Sequence, residues 1–229
     1  RPFGAFLWSL IMSGISVLIA IPSGSSWEAL FGMSLAGLVA YSNRPFSDGS
    51  YLEALKICNT RGSILSRSRH KLVQEAQEYG VTHILFLDSD MSFPPDTLFR
   101  LLGRKRAIVA CNCPTKMLPS TPTARLIGND FSGKPMYSVK DDTGVRQVWR
   151  VGTGVMLIDL RVFDKMPQPW FPITWNEELN DYTGEDWAFC EKAQSLGIPV
   201  YVDMSLSKEI GHVGSFEFKH THVEIPLKE

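Results

Sequence analysis

The feature that most constrains the fold is an alternation of short apolar runs with segments of helical periodicity. Four apolar runs predict strands, at residues 16–21, 55–58, 83–87 and 107–111. Three intervening segments predict helices, at residues 27–41 with Ser26 as N-cap, 63–79 with Gly80 as the stop, and 94–102. Such an alternation predicts parallel βαβ units, which bind ligands at the carboxyl ends of their strands.

The second half of the chain is less regular. Residues 114–150 are rich in Pro, Thr, Gly and charged side chains, and strands are predicted at 147–151, 154–160 and 198–202. Residues 168–182 predict an aromatic, Pro-containing loop, and a helix is predicted from Thr183 to Gly197. Since neither an internal repeat nor a low-complexity linker interrupts the chain, we expect one domain.

Composition excludes two broad classes. With 44% hydrophobic and 21% charged residues the chain can bury a sizeable core, so general disorder is excluded. A net charge of −1 does not provide a strongly basic surface for nucleic acid. The four cysteines form no CxxC pair, which favours reduced thiols and a cytoplasmic protein.

The amino-terminal segment allows two interpretations. Residues 2–26 carry no charge, and residues 3–21 are long enough to span a bilayer. Gly and Ser residues dilute the apolar stretch, and its second half has the composition of a buried strand. We expect a short apolar lead-in at 1–14 and then the first strand, with a membrane anchor as the alternative.

Asp88-Ser89-Asp90 directly follows the apolar run 83–87. Two carboxylates two residues apart can approach one ion if the backbone turns there, and hard oxygen ligands suit Mg²⁺ or Mn²⁺. The alternative is an Asp-rich turn in which Ser89 and Asp90 cap the following segment. The motif is short, so both interpretations stay open on the motif alone.

Two further motifs place polar groups where a cleft is expected. Thr183 and Asp186 have the spacing of a capping box, but a carboxylate at a helix N-terminus can also accept a hydroxyl proton as a general base. His212 lies between small residues beyond the last strand and can reach a metal or a phosphate. His220 and His222 form a competing H-x-H pair, or a solvated tail.

In this order the motifs resemble the GT-A glycosyltransferases, particularly bacterial and phage enzymes of the family-2-like group. The resemblance is carried by these stretches: IAIPSG, NTRGSILSRSRHKLVQEA, LFLDSDMSFPPDTLFRLL, VGTGVMLIDLRVF, GEDWAFCEKAQSLGIPVYVD and GHVG. It implies a single GT-A-type, Rossmann-like α/β domain with a mostly parallel central sheet flanked by helices. The catalytic domain is placed at residues 15–216 and a tail at 217–229.

The resemblance also implies roles for individual residues. Asp88, Asp90 and His212 correspond to ligands of Mn²⁺ or Mg²⁺, and Asp186 corresponds to the base for an acceptor hydroxyl, with Glu185 beside it. On the donor side we place Pro22, Ser23, Gly24, Arg61, Arg69, Ser89 and Lys116. On the acceptor side we place Thr153, Gly154 and Trp187. His70 departs from the family pattern, which commonly has Asn after the Arg at that position.

The implied activity is transfer of a sugar from a nucleotide-sugar donor, a UDP-sugar by family analogy, to an acceptor hydroxyl with inversion at the sugar carbon. A glycan and a hydroxylated DNA base are both open as acceptors. The implied compartment is the cytoplasm, or the host cytoplasm if the protein is encoded by a phage. Two rivals are a non-catalytic nucleotide-sugar-binding module and a HAD-type phosphohydrolase that uses Asp88 and Asp90. Turnover of a nucleotide sugar separates all three.

Overall fold

A computed structural model describes residues 14–177, 180–214 and 216–223. Nearly all of the predicted lead-in and the last six residues of the predicted tail lie outside the described residues. In chain order the strands are β1 (Ser16–Ser23), β2 (Ala54–Arg61), β3 (His83–Leu87), β4 (Met91–Ser92), β5 (Ile108–Ala110), β6 (Arg125–Asn129), β7 (Pro135–Tyr137), β8 (Val145–Arg150), β9 (Val155–Asp159), β10 (Thr174–Asn176), β11 (Asp181–Thr183), β12 (Val200–Asp203), β13 (Gly211–Val213) and β14 (Glu217–Lys219). The helices are α1 (Ala29–Tyr41), α2 (Leu65–Glu78), α3 (Thr97–Gly103), α4 (Arg161–Lys165), α5 (Glu185–Ser195) and α6 (Met204–Ser207), and His220–His222 form a 3-10 turn.

A nine-stranded sheet forms the centre of the described residues, in the order β2-β1-β3-β9-β5-β12-β8-β6-β7. β1 is parallel to both β2 and β3, and β12 is parallel to β5. β9 runs antiparallel between β3 and β5, and β8 runs antiparallel to β12. Most of these strands therefore share one direction, and they carry their carboxyl ends to one edge of the sheet.

The two faces of β1 separate the core into two layers. Val17 and Ile19 pack in one apolar cluster with Phe31 of α1, and that cluster also includes residues of α3. Leu18 packs in the other cluster with Leu72 of α2, and that cluster also includes residues of α5. Helices therefore cover both faces of the sheet, because alternate residues of a strand point to opposite sides. The predicted fold class, one Rossmann-like α/β unit with a central sheet flanked by helices, is confirmed.

The helix starts and faces differ in detail from the predictions. α1 begins at Ala29 with Glu28 as its N-cap rather than Ser26, because the Glu28 N–H donates to the Ser89 carbonyl at 3.0 Å. Helical spacing in the sequence predicts that Leu65, Leu72, Ala76 and Tyr79 share the apolar face of α2. Leu72 and Ala76 are buried as predicted, whereas Leu65 and Tyr79 are exposed. Arg69 is buried on this helix instead, and its guanidinium meets carboxylate partners.

The predicted loop at 168–182 contains a hairpin, β10–β11, in which Trp175 lies opposite Tyr182. A membrane anchor was the alternative for residues 3–21. The described second half of that stretch, residues 16–21, lies in β1, between the parallel strands β2 and β3. No helix in the described part of the chain has the length and apolarity needed to span a bilayer. A second small sheet, β14-β13-β4, joins the carboxyl-terminal part of the chain to the turn after β3.

Candidate active site at the carboxyl ends of the strands

The turn after β3 is fixed by backbone hydrogen bonds from two neighbouring strands. All five residues of β3 are buried, so Asp88 leaves the core at a defined point. The Asp88 N–H donates to the Gly154 carbonyl at 2.9 Å, which joins the turn to the start of β9. The Val213 N–H donates to the Asp90 carbonyl at 2.7 Å, which joins it to β13. The acidic motif is therefore a turn held between two strands.

Pairing of β4 with β13 places the His212 ring against Asp90. The ring Nδ1 lies 2.8 Å from the Pro114 carbonyl oxygen, and Nε2 lies 3.4 Å from Asp90 Oδ2. A carbonyl oxygen only accepts, so Nδ1 carries a proton, and Nε2 is the ring nitrogen that faces Asp90. Pro114 was not among the predicted site residues, because nothing in the sequence indicates which carbonyl a distant ring will contact.

Gly211 makes this approach possible. A Cβ atom at position 211 would lie 2.6 Å from Glu217 Cγ, in addition to pressing on the Ser92 hydroxyl. Since real Cβ atoms do not approach that closely, only glycine fits between β4 and β14. The small residue predicted to free the backbone beside His212 is therefore required by packing.

Lys116 supplies the second partner of Asp90, with Nζ at 2.5 Å from Oδ2. Burial by itself raises the pKa of Asp90, but the interactions with His212 and Lys116 outweigh burial and lower that pKa to about 2. Asp90 is thus a carboxylate at any physiological pH, with two cationic or polar partners at one end of the site.

Arg69 is a buried guanidinium that joins three elements. It is only 1% exposed, and its Nη2 donates to Asp88 Oδ1 at 2.9 Å and to Oδ2 at 3.1 Å. Its Nε donates to Glu185 Oε1 at 3.4 Å, so α2, β3 and α5 meet at one side chain. Burial and the neighbouring Asp90 raise the pKa of Asp88, and Arg69 opposes that shift. The residue that we placed on the donor side therefore positions the carboxylates of the site.

Asp186 lies in the first turn of α5, across residues 152–154 from the acidic turn. Burial, and after it the charge of Glu185, raise the pKa of Asp186 to about 6. The predicted capping box is absent, since the N-cap of α5 is Gly184 and no side chain caps the helix. Thr183 is held instead as a buried residue of β11, opposite Thr174. Among the residues that the structure describes, the Asp186 carboxylate accepts one hydrogen bond, from the neighbouring Trp187 N–H at 2.7 Å.

Residues 152–154 run between the two carboxylate ends. A Cβ atom at Gly154 would lie 3.5 Å from Asp88 Oδ2, and a Cβ atom at Gly152 would lie 3.5 Å from Asp186 Oδ2. Thr153, between them, is 1% exposed, and its hydroxyl has no hydrogen-bond partner among the described residues. Asp88 and Asp186, remote in sequence, therefore face one short segment. Gly152 was missed, although its place in Gly-Thr-Gly was visible in the sequence.

The other predicted residues lie around this centre. Ser89 contributes its carbonyl to the start of α1, and Pro22 and Ser23 are the last residues of β1, with Gly24 exposed after them. The Trp187 ring centroid lies 3.7 Å from the Arg150 guanidinium carbon. Arg61 is exposed at the end of β2, and β1 separates that strand from β3. The structure therefore does not place Arg61 beside the acidic turn.

The aromatic residues of 168–182 divide into two roles. Trp170 and Phe171 are buried anchors of the core, and His70 stacks on Trp170 with ring centroids 4.6 Å apart. This stacking accounts for His70, which departs from the family pattern. Trp175 and Tyr182 are 51% and 65% exposed, so this pair is free to contact a ligand.

The protein side chains at this site supply only some of the ligands that a divalent ion needs. Among the described residues, no three His, Cys, Asp or Glu side chains are gathered closely enough to hold a metal. Asp90 and His212 form a ligand pair, and Asp88 keeps lone pairs beyond those that Arg69 occupies. Mg²⁺ and Mn²⁺ sites commonly use one or two carboxylates and complete their sphere with substrate phosphates and water. His220 is no rival, because both of its ring nitrogens are engaged with Asn112 and Val139.

Comparison with known proteins shows the fold and no more. No protein-family model matches the chain, and no curated protein sequence does. Among solved structures, the crystal structure of A197 from STIV is similar, with a TM-score of 0.52 and 14% sequence identity. The likeness covers 87% of this chain and 86% of A197. At this identity the shared feature is the α/β fold, and the likeness assigns no role to the site residues.

Proposed function

We propose that this protein is a metal-dependent glycosyltransferase of the GT-A type, which transfers a sugar from a nucleotide-diphosphate donor to an acceptor hydroxyl. An α/β fold with a central sheet flanked by helices is consistent with the resemblance to these enzymes. The observation that carries the proposal is the His212 ring, which donates Nδ1–H to Pro114 and presents Nε2 at 3.4 Å from Asp90. A histidine held in this way beside a carboxylate is the arrangement that metal-ligating histidines adopt.

The two ends of the site have different chemical tasks. Asp90, His212 and Asp88 would hold Mn²⁺ or Mg²⁺, which when bound neutralises the charge that develops on the leaving diphosphate. Lys116, already at Asp90, adds a second positive charge there. Arg69 holds Asp88 and Glu185 through one guanidinium, which links the acidic turn to the start of α5.

Asp186 acts on the acceptor. A carboxylate whose pKa is raised to about 6 is ionised at neutral pH but is a stronger base than an ordinary aspartate. One Asp186 oxygen takes the proton of the acceptor hydroxyl as that oxygen forms a bond to the sugar carbon. The bond from the sugar carbon to the diphosphate oxygen breaks, and its electron pair leaves with the diphosphate. With base and leaving group at opposite ends of the site, we expect direct displacement and an inverted product.

Donor turnover tests the proposal. The protein, a nucleotide sugar and Mn²⁺ are incubated with glycan and hydroxylated-DNA acceptors, and release of nucleoside diphosphate is measured with transfer to the acceptor. We expect transfer by the wild type and by Asp141→Ala, an exposed control, and none by Asp90→Ala. Binding without turnover would identify a binding module, and release of inorganic phosphate would identify a phosphohydrolase. NMR of the product determines its anomeric configuration.

A further inference from the structure

A second pocket lies at the carboxyl end of β2, where the chain turns into α2. Its volume is about 190 Å³, and its lining comes from one stretch of chain that includes Thr60, Arg61, Ser63, Arg67, Ser68 and Lys71. The Gly62 N–H donates to the Ser23 carbonyl at 3.1 Å, so the pocket adjoins the end of β1. It opens on the same edge of the sheet as the acidic turn, beyond β1.

All charged side chains that line this pocket are positive. Arg61, Arg67 and Lys71 line it, no carboxylate does, and no ion pair within the described residues involves any of the three. Cations held close together repel one another and focus a positive potential in a concave surface. An anion in the pocket removes that repulsion.

A serine hydroxyl also belongs to the pocket. Ser68 lines it, and its Oγ would lie 3.0 Å from a Cβ atom at Gly62, the residue after Arg61. The N-cap of α2, Ile64, offers no side-chain cap, and the first N–H groups of the helix therefore also await an acceptor.

We propose that this pocket binds a phosphate group, at a site separate from the acidic turn. Guanidinium and ammonium groups, a hydroxyl and free helix N–H groups are the donors that bind phosphate oxygens. With β1 between β2 and β3, the two sites are about 10 Å apart at the usual strand spacing, too far for one phosphate to reach both. If the proposed glycosyl transfer is correct, the pocket holds a further phosphate of the nucleotide or of the acceptor.

Titration with inorganic phosphate and pyrophosphate in the presence of EDTA tests the pocket. We expect the wild type to bind without a divalent ion, and to bind less tightly as the salt concentration rises. Arg67→Ala, Lys71→Ala and Ser68→Ala should each weaken binding, the two charge deletions by about tenfold, which is the scale of one charged hydrogen bond. Lys140→Ala, which removes an exposed cation elsewhere, should bind as the wild type does.

Unchanged phosphate affinity in folded Arg67→Ala and Lys71→Ala proteins would overturn the proposal. So would loss of phosphate binding in Asp90→Ala, because the acidic turn would then be the site. Sugar transfer that fails while phosphate binding persists would reject the proposed function and leave the pocket intact. In the two charge deletions, a KM raised for the nucleotide sugar alone places the donor in the pocket, and a KM raised only for a phosphorylated acceptor places the acceptor there.

Discussion

Asp186, the proposed base, carries a cost to stability. Its folded-state pKa of about 6 lies above the ordinary value of 3.8, so the folded protein holds this proton more tightly than the unfolded chain. The stabilisation that results is complete below pH 3.8 and is lost as pH rises through 6. The ionised group therefore destabilises the fold at neutral pH.

Replacing Asp186 with Asn should separate the two effects. We expect Asp186→Asn to lose at least about a hundredfold in sugar transfer, the scale of a general base. Its free energy of unfolding at pH 8 should exceed that of the wild type by about 1–3 kcal/mol, from about 1.4 kcal/mol per pKa unit, and should match it near pH 4. Urea denaturation at both pH values and initial rates measure these quantities.

Asp181→Asn is a matched control for this experiment. The Asp181 carboxylate accepts from the Tyr182 N–H at 2.7 Å, as Asp186 does from the Trp187 N–H, but Asp181 is exposed. Its substitution should leave the rate and the pH dependence of stability unchanged. An Asp186→Asn protein that unfolds earlier at pH 8 yet transfers sugar normally would return Asp186 to a structural role.

His212 should be the histidine that binds Mn²⁺. We expect His212→Ala to weaken Mn²⁺ binding, measured by electron paramagnetic resonance in the presence of nucleoside diphosphate, by at least about tenfold, at the low end of the 10–100-fold known for groups that support a metal site. His222→Ala is the control, since the His222 ring accepts from the Lys219 N–H in its own turn. The reverse pattern, with binding lost only in His222→Ala, would contradict the assignment.

At the scale of residues, the sequence predicted where candidate site residues lie better than it predicted their contacts. Asp88, Asp90 and Asp186 were identifiable as candidates because carboxylates directly after a buried strand or at the start of a helix are typical of ligand sites in α/β folds. The position of Arg69 between Asp88 and Glu185 was not predictable, because its partners lie 19 and 116 residues away. Which distant carboxylates a buried guanidinium meets depends on the packing of α2 against the sheet.

The segment between β8 and β9 contacts both Asp88 and Asp186 and leaves little room for added side-chain atoms. A Cβ atom at Gly154 would lie 3.2 Å from Cys113 Sγ and 3.3 Å from Met91 Sδ, so Gly154→Ala requires these side chains to shift by a few tenths of an ångström beside Asp88. We expect about 1–3 kcal/mol lower stability, as for overpacking in a core, and a loss of activity of about a hundredfold, as for misplaced reacting groups. Gly103→Ala, with nothing within 4 Å of the added Cβ, should change neither.

The hairpin β10–β11 should contribute to acceptor binding. Trp175 and Tyr182 pack edge to face with ring centroids 5.2 Å apart, and the hairpin leads directly into Glu185 and Asp186. We expect Trp175→Ala to raise the acceptor KM by about tenfold, at the upper end of aromatic pair energies, and to leave the donor KM unchanged. The exposed Phe131 gives the control Phe131→Ala. A change in donor KM alone would place the hairpin on the donor side.

Element types could be predicted where the sequence periodicity is strong. They could not be predicted where strand pairing determines the structure. The strands at residues 16–21 and 83–87 were predicted because every residue is buried on both faces. The direction of β9 was not predicted, because an apolar run has the same composition in either orientation. Its antiparallel position between β3 and β5 depends on the long segment that contains β6–β8. β10 and β11 were missed because a three-residue strand with mostly exposed side chains has no alternation to detect.

At the scale of the whole molecule, ion and donor should stabilise the fold together. Mn²⁺ with nucleoside diphosphate at about 100 times the dissociation constant should add roughly 2.7 kcal/mol by mass action. The melting temperature should therefore rise with both ligands, and EDTA should remove most of the rise. Asp90→Ala should show no rise, whereas Asp141→Ala should respond as the wild type does. An equal rise in the presence of EDTA would argue against an ion between donor and protein.

The pairing of β4 with β13 has a consequence for the order in which the candidate site is assembled during synthesis. The acidic turn leaves the ribosome early, together with β1–β3. Its histidine arrives only with β13, after the rest of the central sheet has been translated. A nascent chain therefore carries the carboxylates without their partner before its sheet is complete. Under the proposed function, loading of the ion is then a late event that reports a finished fold.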